Sequence, residues 1–150
     1  MRFVIGYFKE FGVVSTVSRK LVSLREIEGV VSPHQRQVES ALEARKAAFE
    51  CVTDVSGLAK YIGGKEELLG VGEDWALSKE IFPGARIFFI FHRSDEEFPS
   101  RLKVLFSGRK IEMMKGEDLA GFVILFVNHM LRYIRETLPA DKVPEICHRV

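Results

Sequence analysis

The sequence predicts an α+β fold, with a small antiparallel sheet of about three strands packed against N-terminal helices and a long C-terminal helix. Three observations carry that reading. Strand-like runs at 75–79, 86–91 and 101–106 follow one another with short connections, as in an antiparallel meander. Two serine-led capping patterns precede them, and each marks the start of a helix. After them, residues 117–136 place apolar side chains at helical spacing.

Phe3, Val4, Tyr7, Phe8 and Phe11 recur at 3.6-residue spacing and predict a first helix over about 2–11, which Gly12 would end. A strand is the rival reading, since the β-branched "VVSTVS" comes next. Ser23-Leu-Arg-Glu26 has capping-box form and predicts a helical turn closed by Gly29. Ser32-Pro-His-Gln35 opens a longer helix, with Ser32 as cap, Pro33 at the first position and Gln35 reaching back. Val38, Ala41, Leu42, Ala48, Phe49 and Val52 mark its buried stripe. Ser56 is the expected cap of a short helix over 57–62 that Gly63 and Gly64 stop.

"GGKEELLGVGED" is turn-rich, with one brief helical or extended piece. It lacks the strand–loop–helix frame and the G-K-[ST] of a phosphate loop, so its glycines read as turn residues. Pro83-Gly84 suits a type II turn between the first two strands. "IFFIF" at 87–91 is continuously apolar, as expected of a central strand covered on both faces, or covered on one and at an interface on the other. Leu102, Val104 and Phe106 alternate with Arg101, Lys103 and Leu105, as in a half-buried strand. In the last helix, Ile124 and Leu125 extend the apolar face nearly all round, which predicts burial on most sides. Residues 1–138 read as one α+β domain and 139–150 as a loose tail.

The 22 Lys plus Arg balance 21 Asp plus Glu, so a nucleic-acid protein is not expected. A local basic set, Arg86, Arg93, Arg101, Lys103, Arg109 and Lys110, keeps that function as a third reading. Cys51 and Cys147 lie far apart, with no Cys-x-x-Cys or Cys/His metal spacing. They read as one buried thiol and one near the terminus, and a disulfide is disfavoured. No signal peptide or membrane span is apparent, which suggests a cytoplasmic protein. The apolar strand and last helix together predict a dimer or a partner protein.

The segment "FHRSDEEFPSRLKVLF" (91–106) sets three carboxylates, Asp95, Glu96 and Glu97, between two apolar strands. One reading is a solvated turn: Ser94 or Asp95 starts an Asx- or ST-type turn, Phe98 folds onto the core and Pro99 ends an edge. The other is a ligand or cation site in which Asp95, Glu96 and Glu97 act with His92 and Asp74, and with Glu117 as a further carboxylate. Along an extended strand Asp95 and Glu97 share a side and Glu96 points away, so only a curled loop gathers all three. No G-x-S-x-G or comparable nucleophile signature is present. His129 in "FVNHML" reads as a core histidine.

"KLVSLREIEG" (20–29), "KYIGG" (60–64), the Asp74 region and above all "IFPGARIFFIFHRSDEEFPSRLKVLF" (81–106), followed by "GEDLAGF", resemble the domain-of-unknown-function 3786 family. The resemblance runs over roughly residues 7–135, and DEEFP is its most specific element. It implies a pattern but no catalytic residue. Family members often carry a further N-terminal segment, so the chain is expected to be an N-terminally short member. They often have Asp where Ser107 stands here. Some accompany iron–sulfur modules, but this chain has no cysteine cluster to hold one. The expected function is a non-catalytic binding or interaction domain of unknown ligand, with no cofactor indicated. A metal- or small-molecule-binding, enzyme-like domain using Asp95–Glu97 is the alternative.

Overall fold

The structure, a computed structural model, describes residues 20–150. The helix expected over 2–11 and the extended piece after it lie outside the described residues.

The helix starts obey local chemistry. In α1 (Leu24–Glu28), the Ser23 hydroxyl accepts from the Glu26 amide at 3.2 Å, and Glu26 accepts from the Ser23 amide at 2.8 Å. These reciprocal bonds satisfy two amides that have no partner inside the helix. Gly29 ends the turn at φ 104°. Ser32 caps α2 (Pro33–Arg45), with Pro33 opening the first turn. The Gln35 side chain turns forward to Glu39 rather than back to the cap. Beyond Arg45 the chain tightens into a 3-10 segment, Lys46–Cys51, which carries Ala48 and Phe49 into the core. Asp54, not Ser56, caps α3 (Val55–Tyr61): its carboxylate accepts from the Gly57 amide at 2.9 Å.

Among the described residues, four strands form one antiparallel sheet in the order β1-β2-β3-β4, the three expected ones and a short edge strand before them. They are β1 (Lys65–Glu67), β2 (Trp75–Phe82), β3 (Ala85–His92) and β4 (Arg101–Ser107). Trp75 pairs with Phe91 and Phe89 with Val104, which places Trp75, Leu77, Ile87, Phe89, Phe91, Leu102, Val104 and Phe106 in the helix-packed core. Each such large side chain contributes roughly 1.5–3 kcal/mol on burial. Phe88 and Ile90 point the other way and are also buried. The apolar run of β3 is thus buried on both faces.

The long helix α4 (Gly116–Thr137) buries Leu119, Val123, Val127, Met130, Leu131 and Ile134. It is not buried nearly all round: Gly121, Leu125, Arg132 and Glu136 line an outer stripe in water. Asn128 and His129 face different neighbours. The Asn128 carbonyl accepts from Arg45 Nε at 2.9 Å, and the His129 ring meets Tyr61 edge-on at 4.9 Å. Residues 139–150, expected as a loose tail, carry two 3-10 turns, Ala140–Lys142 and Glu145–His148, and bury Cys147 completely.

Candidate functional site

The β3–β4 connection is built on three core aromatics. Trp75 stacks on Phe91 with centroids 5.1 Å apart, and Phe49 meets their rings at 6.1 and 6.4 Å. Each ring stands within two residues of a polar group that fastens the loop: Glu50 after Phe49, Asp74 before Trp75, Arg93 after Phe91. Packing of the aromatics therefore fixes the loop's base.

Arg93 forms the main fastening. Its guanidinium donates to the carbonyls of Glu50 and Val52, each at 2.8 Å. Its amide donates to the Asp74 carboxylate at 2.6 Å, and the Ser94 amide to the Glu50 carboxylate at 2.9 Å. Above this base Asp95 closes an Asx turn. One of its carboxylate oxygens accepts from the amides of Glu97 and Phe98 at 2.8 and 2.7 Å, while the Asp95 amide donates to the Phe98 carbonyl at 2.9 Å. Short polar side chains bonded to backbone two residues on are the usual makers of such turns. The Phe98 amide foremost, then that of Glu97, holds the Asp95 carboxyl below its ordinary range.

The loop curls, yet its carboxylates do not converge. Asp95 and Asp74 face backbone amides, and Glu96 and Glu97 stand in water. His92 ends β3 opposite Arg101, and its buried Nδ1 has no hydrogen-bond partner. Glu117 lies in the first turn of α4, exposed. Among the described residues, no group of three or more His, Cys, Asp or Glu side chains is arranged to hold a metal ion. Phe98 does not fold onto the core: it is 63% exposed, while Ser100 behind it is buried. Of the basic set, Arg93 is occupied as described and Arg86 donates to the Ser78 hydroxyl at 2.9 Å.

Three polar arrangements were not foreseen from the sequence. On the sheet, buried Ser78 donates to Glu67 at 2.5 Å. Glu28 accepts from the Ser32 hydroxyl at 2.5 Å and meets His34 Nδ1 at 2.6 Å, close against Gly116 at the start of α4. In the glycine-rich 68–73 loop, Glu73 accepts from the amides of Leu69, Gly70 and Val71 at 2.6, 3.2 and 2.9 Å. Burial pushes the Glu73 carboxyl up, but these amides outweigh it and hold it below the ordinary value. The capping serine of the second arrangement was readable; its carboxylate partner comes from the preceding helix and was not.

The meander, its clamped acidic turn and the long closing helix define a small α+β domain built around one strand–turn–strand unit. The family described as "Domain of unknown function (DUF3786)" matches residues 3–129, and the chain belongs to it. No curated protein and no solved structure matches the chain. No helix among the described residues is long and apolar enough to cross a membrane.

Proposed function

We propose that the chain is a non-catalytic protein-interaction module and that the β3–β4 loop is its contact tip. The observation that carries the reading is a large aromatic, Phe98, held out in water by a loop whose backbone is fixed at both levels. An exposed ring normally loses affinity to the cost of ordering its loop on binding; here the ordering is already present. Aromatic anchors ringed by polar groups are the usual energetic centres of interfaces. Glu96 and Glu97 flank the ring, so the partner offers an apolar recess bordered by Lys or Arg. That partner is a second copy of the chain or a different protein.

The rival, a cation or small-molecule site on the same carboxylates, would use the Asp95 oxygen that does not hold the two amides, with Glu96 and Glu97 turned toward it. Affinity purification from the native cell tests the proposal. Proteins recovered with the wild type should fall at least about tenfold with Phe98→Ala and with Glu96→Lys/Glu97→Lys, a loss of roughly 1.4 kcal/mol or more. Equal recovery with all three chains contradicts it, and calcium or magnesium binding that Asp95→Asn abolishes favours the rival.

A further inference from the structure

Two residues of the basic set, Arg101 and Lys103, stand on a strand whose outer edge is only partly used. β4 closes one side of the sheet. On its outer edge Phe106 exchanges both backbone bonds with Val22. The Val22 amide donates to the Phe106 carbonyl at 2.8 Å, and the Phe106 amide to the Val22 carbonyl at 2.7 Å. The chain then leaves the edge, because α1 begins at Leu24. In an antiparallel ladder the backbone groups of alternate residues face the same edge. The pairing of β4 with β3 runs from Arg101 to Ser107 without a bulge. Val104 and Leu102 therefore turn their amides and carbonyls the same way as Phe106, and among the described residues nothing meets those groups.

The side chains along this edge decide what can pair with it. Leu102 and Val104 face the core. Arg101 and Lys103 stand exposed on the other face of the sheet, in no hydrogen bond or ion pair with a described residue. Leu105, on that same face, is half-buried. A second copy of the chain is a poor partner. Antiparallel pairing of two β4 edges sets Arg101 against Lys103 when Leu102 meets Leu102, and Lys103 against itself when Leu102 meets Val104. Like charges directly opposite are destabilising, and lysines on an edge guard against such self-pairing. The same charges favour a strand that brings carboxylates.

We propose that the open edge of β4 takes an extended acidic segment of another protein as a further strand, held by backbone bonds to Leu102 and Val104 and by carboxylates on Arg101 and Lys103. Strand addition at an exposed edge draws affinity from main-chain bonds and specificity from alternate side chains. Run antiparallel to β4, the segment sets an apolar residue opposite Leu105 and another opposite Val104. An acid follows opposite Lys103, then an apolar residue opposite Leu102 and an acid opposite Arg101. This surface is separate from the Phe98 contact and does not depend on it.

The test titrates the isotope-labelled full chain with the blocked peptide Ser-Val-Val-Glu-Val-Glu-Ser and follows backbone amides by NMR. The Leu102 and Val104 amides are expected to shift and to become protected from exchange. Methylating the peptide nitrogen opposite Val104 removes a bond the ladder needs and should weaken binding at least about tenfold. Methylating the nitrogen opposite Lys103, which faces away from β4, should change binding less than about twofold. Lys103→Glu should lose the acidic peptide and take its lysine counterpart, Ser-Val-Val-Lys-Val-Lys-Ser. Phe98→Ala should bind as the wild type does, which separates this site from the loop contact. Absence of binding at millimolar peptide, shifts away from β4, or equal binding of both methylated peptides, as charge attraction alone would give, overturns the proposal. The methylated pair is read on the wild type, so the outcome does not rest on the folding of any variant.

Discussion

Asp95 and Arg93 hold the acidic loop by different means, and their loss has different consequences. Asp95 satisfies two amides from an exposed position. Asp95→Ala should free the Glu97 and Phe98 amides, and hydrogen exchange should show both speeding up while strand amides stay protected. The pH dependence comes from the lowered carboxyl. The turn's contribution is complete above the ordinary aspartate value and fades as pH falls through the depressed one. Titration of the same two amides by NMR should show that loss on the acid side only. Arg93→Ala instead strips two carbonyls of their donor and should cost about 1–3 kcal/mol in chemical denaturation. The Asx turn was readable because its partners lie within three residues. The outward pose of Phe98 was not, because local pattern does not say which of Phe98 and Ser100 turns inward before β4, and the fold buries Ser100.

Among the elements, the sharpest constraints sit where two of them touch. Gly108, after β4, has φ 116°, and any Cβ there would run into the Gly84 carbonyl of the β2–β3 turn. That carbonyl also accepts from the Lys110 amide at 2.9 Å. Gly108→Ala should therefore lower stability by about 1–3 kcal/mol, seen as a reduced urea midpoint with unchanged slope. Glu28 ties α1 to the cap of α2 and to the start of α4. The Ser32 hydroxyl foremost, against the opposing effect of burial, and then His34 hold its carboxyl below the ordinary range. Its stabilisation is thus full above the ordinary glutamate value and is lost as pH falls through the lowered one. In Glu28→Gln the stability curve should be flatter on that acid limb; an unchanged slope would contradict the clasp. Caps and strands were legible because they rest on local chemistry and period. Asp54 displaced Ser56 because both are good caps two residues apart, and only the course of the preceding 3-10 segment decides between them. Three-residue β1 carries no apolar alternation and shows itself only through pairing with β2.

For the whole molecule, one aromatic cluster serves both core and loop. Phe49→Ala should cost about 3–5 kcal/mol as a core truncation, and it should loosen the Glu50 contacts to Arg93 and Ser94 as well. That coupling is why the candidate site was only half legible. DEEFP stood out in the sequence, but the residues that brace it come from positions 49–52 and 74, and only the fold unites them. The docking of 139–150 was hidden for the same reason, since Cys147 becomes a core residue only against α4. On the proposed function, this braced loop serves to present Phe98 to a partner. The most direct measurement replaces Phe98 with a photo-crosslinking amino acid in the native cell and places the same group at exposed Glu112 as control. A discrete protein adduct is expected from position 98, absent from position 112 and lost when Glu96 and Glu97 are changed to Lys. No discrete adduct at 98, or the same adducts from both positions, would contradict it.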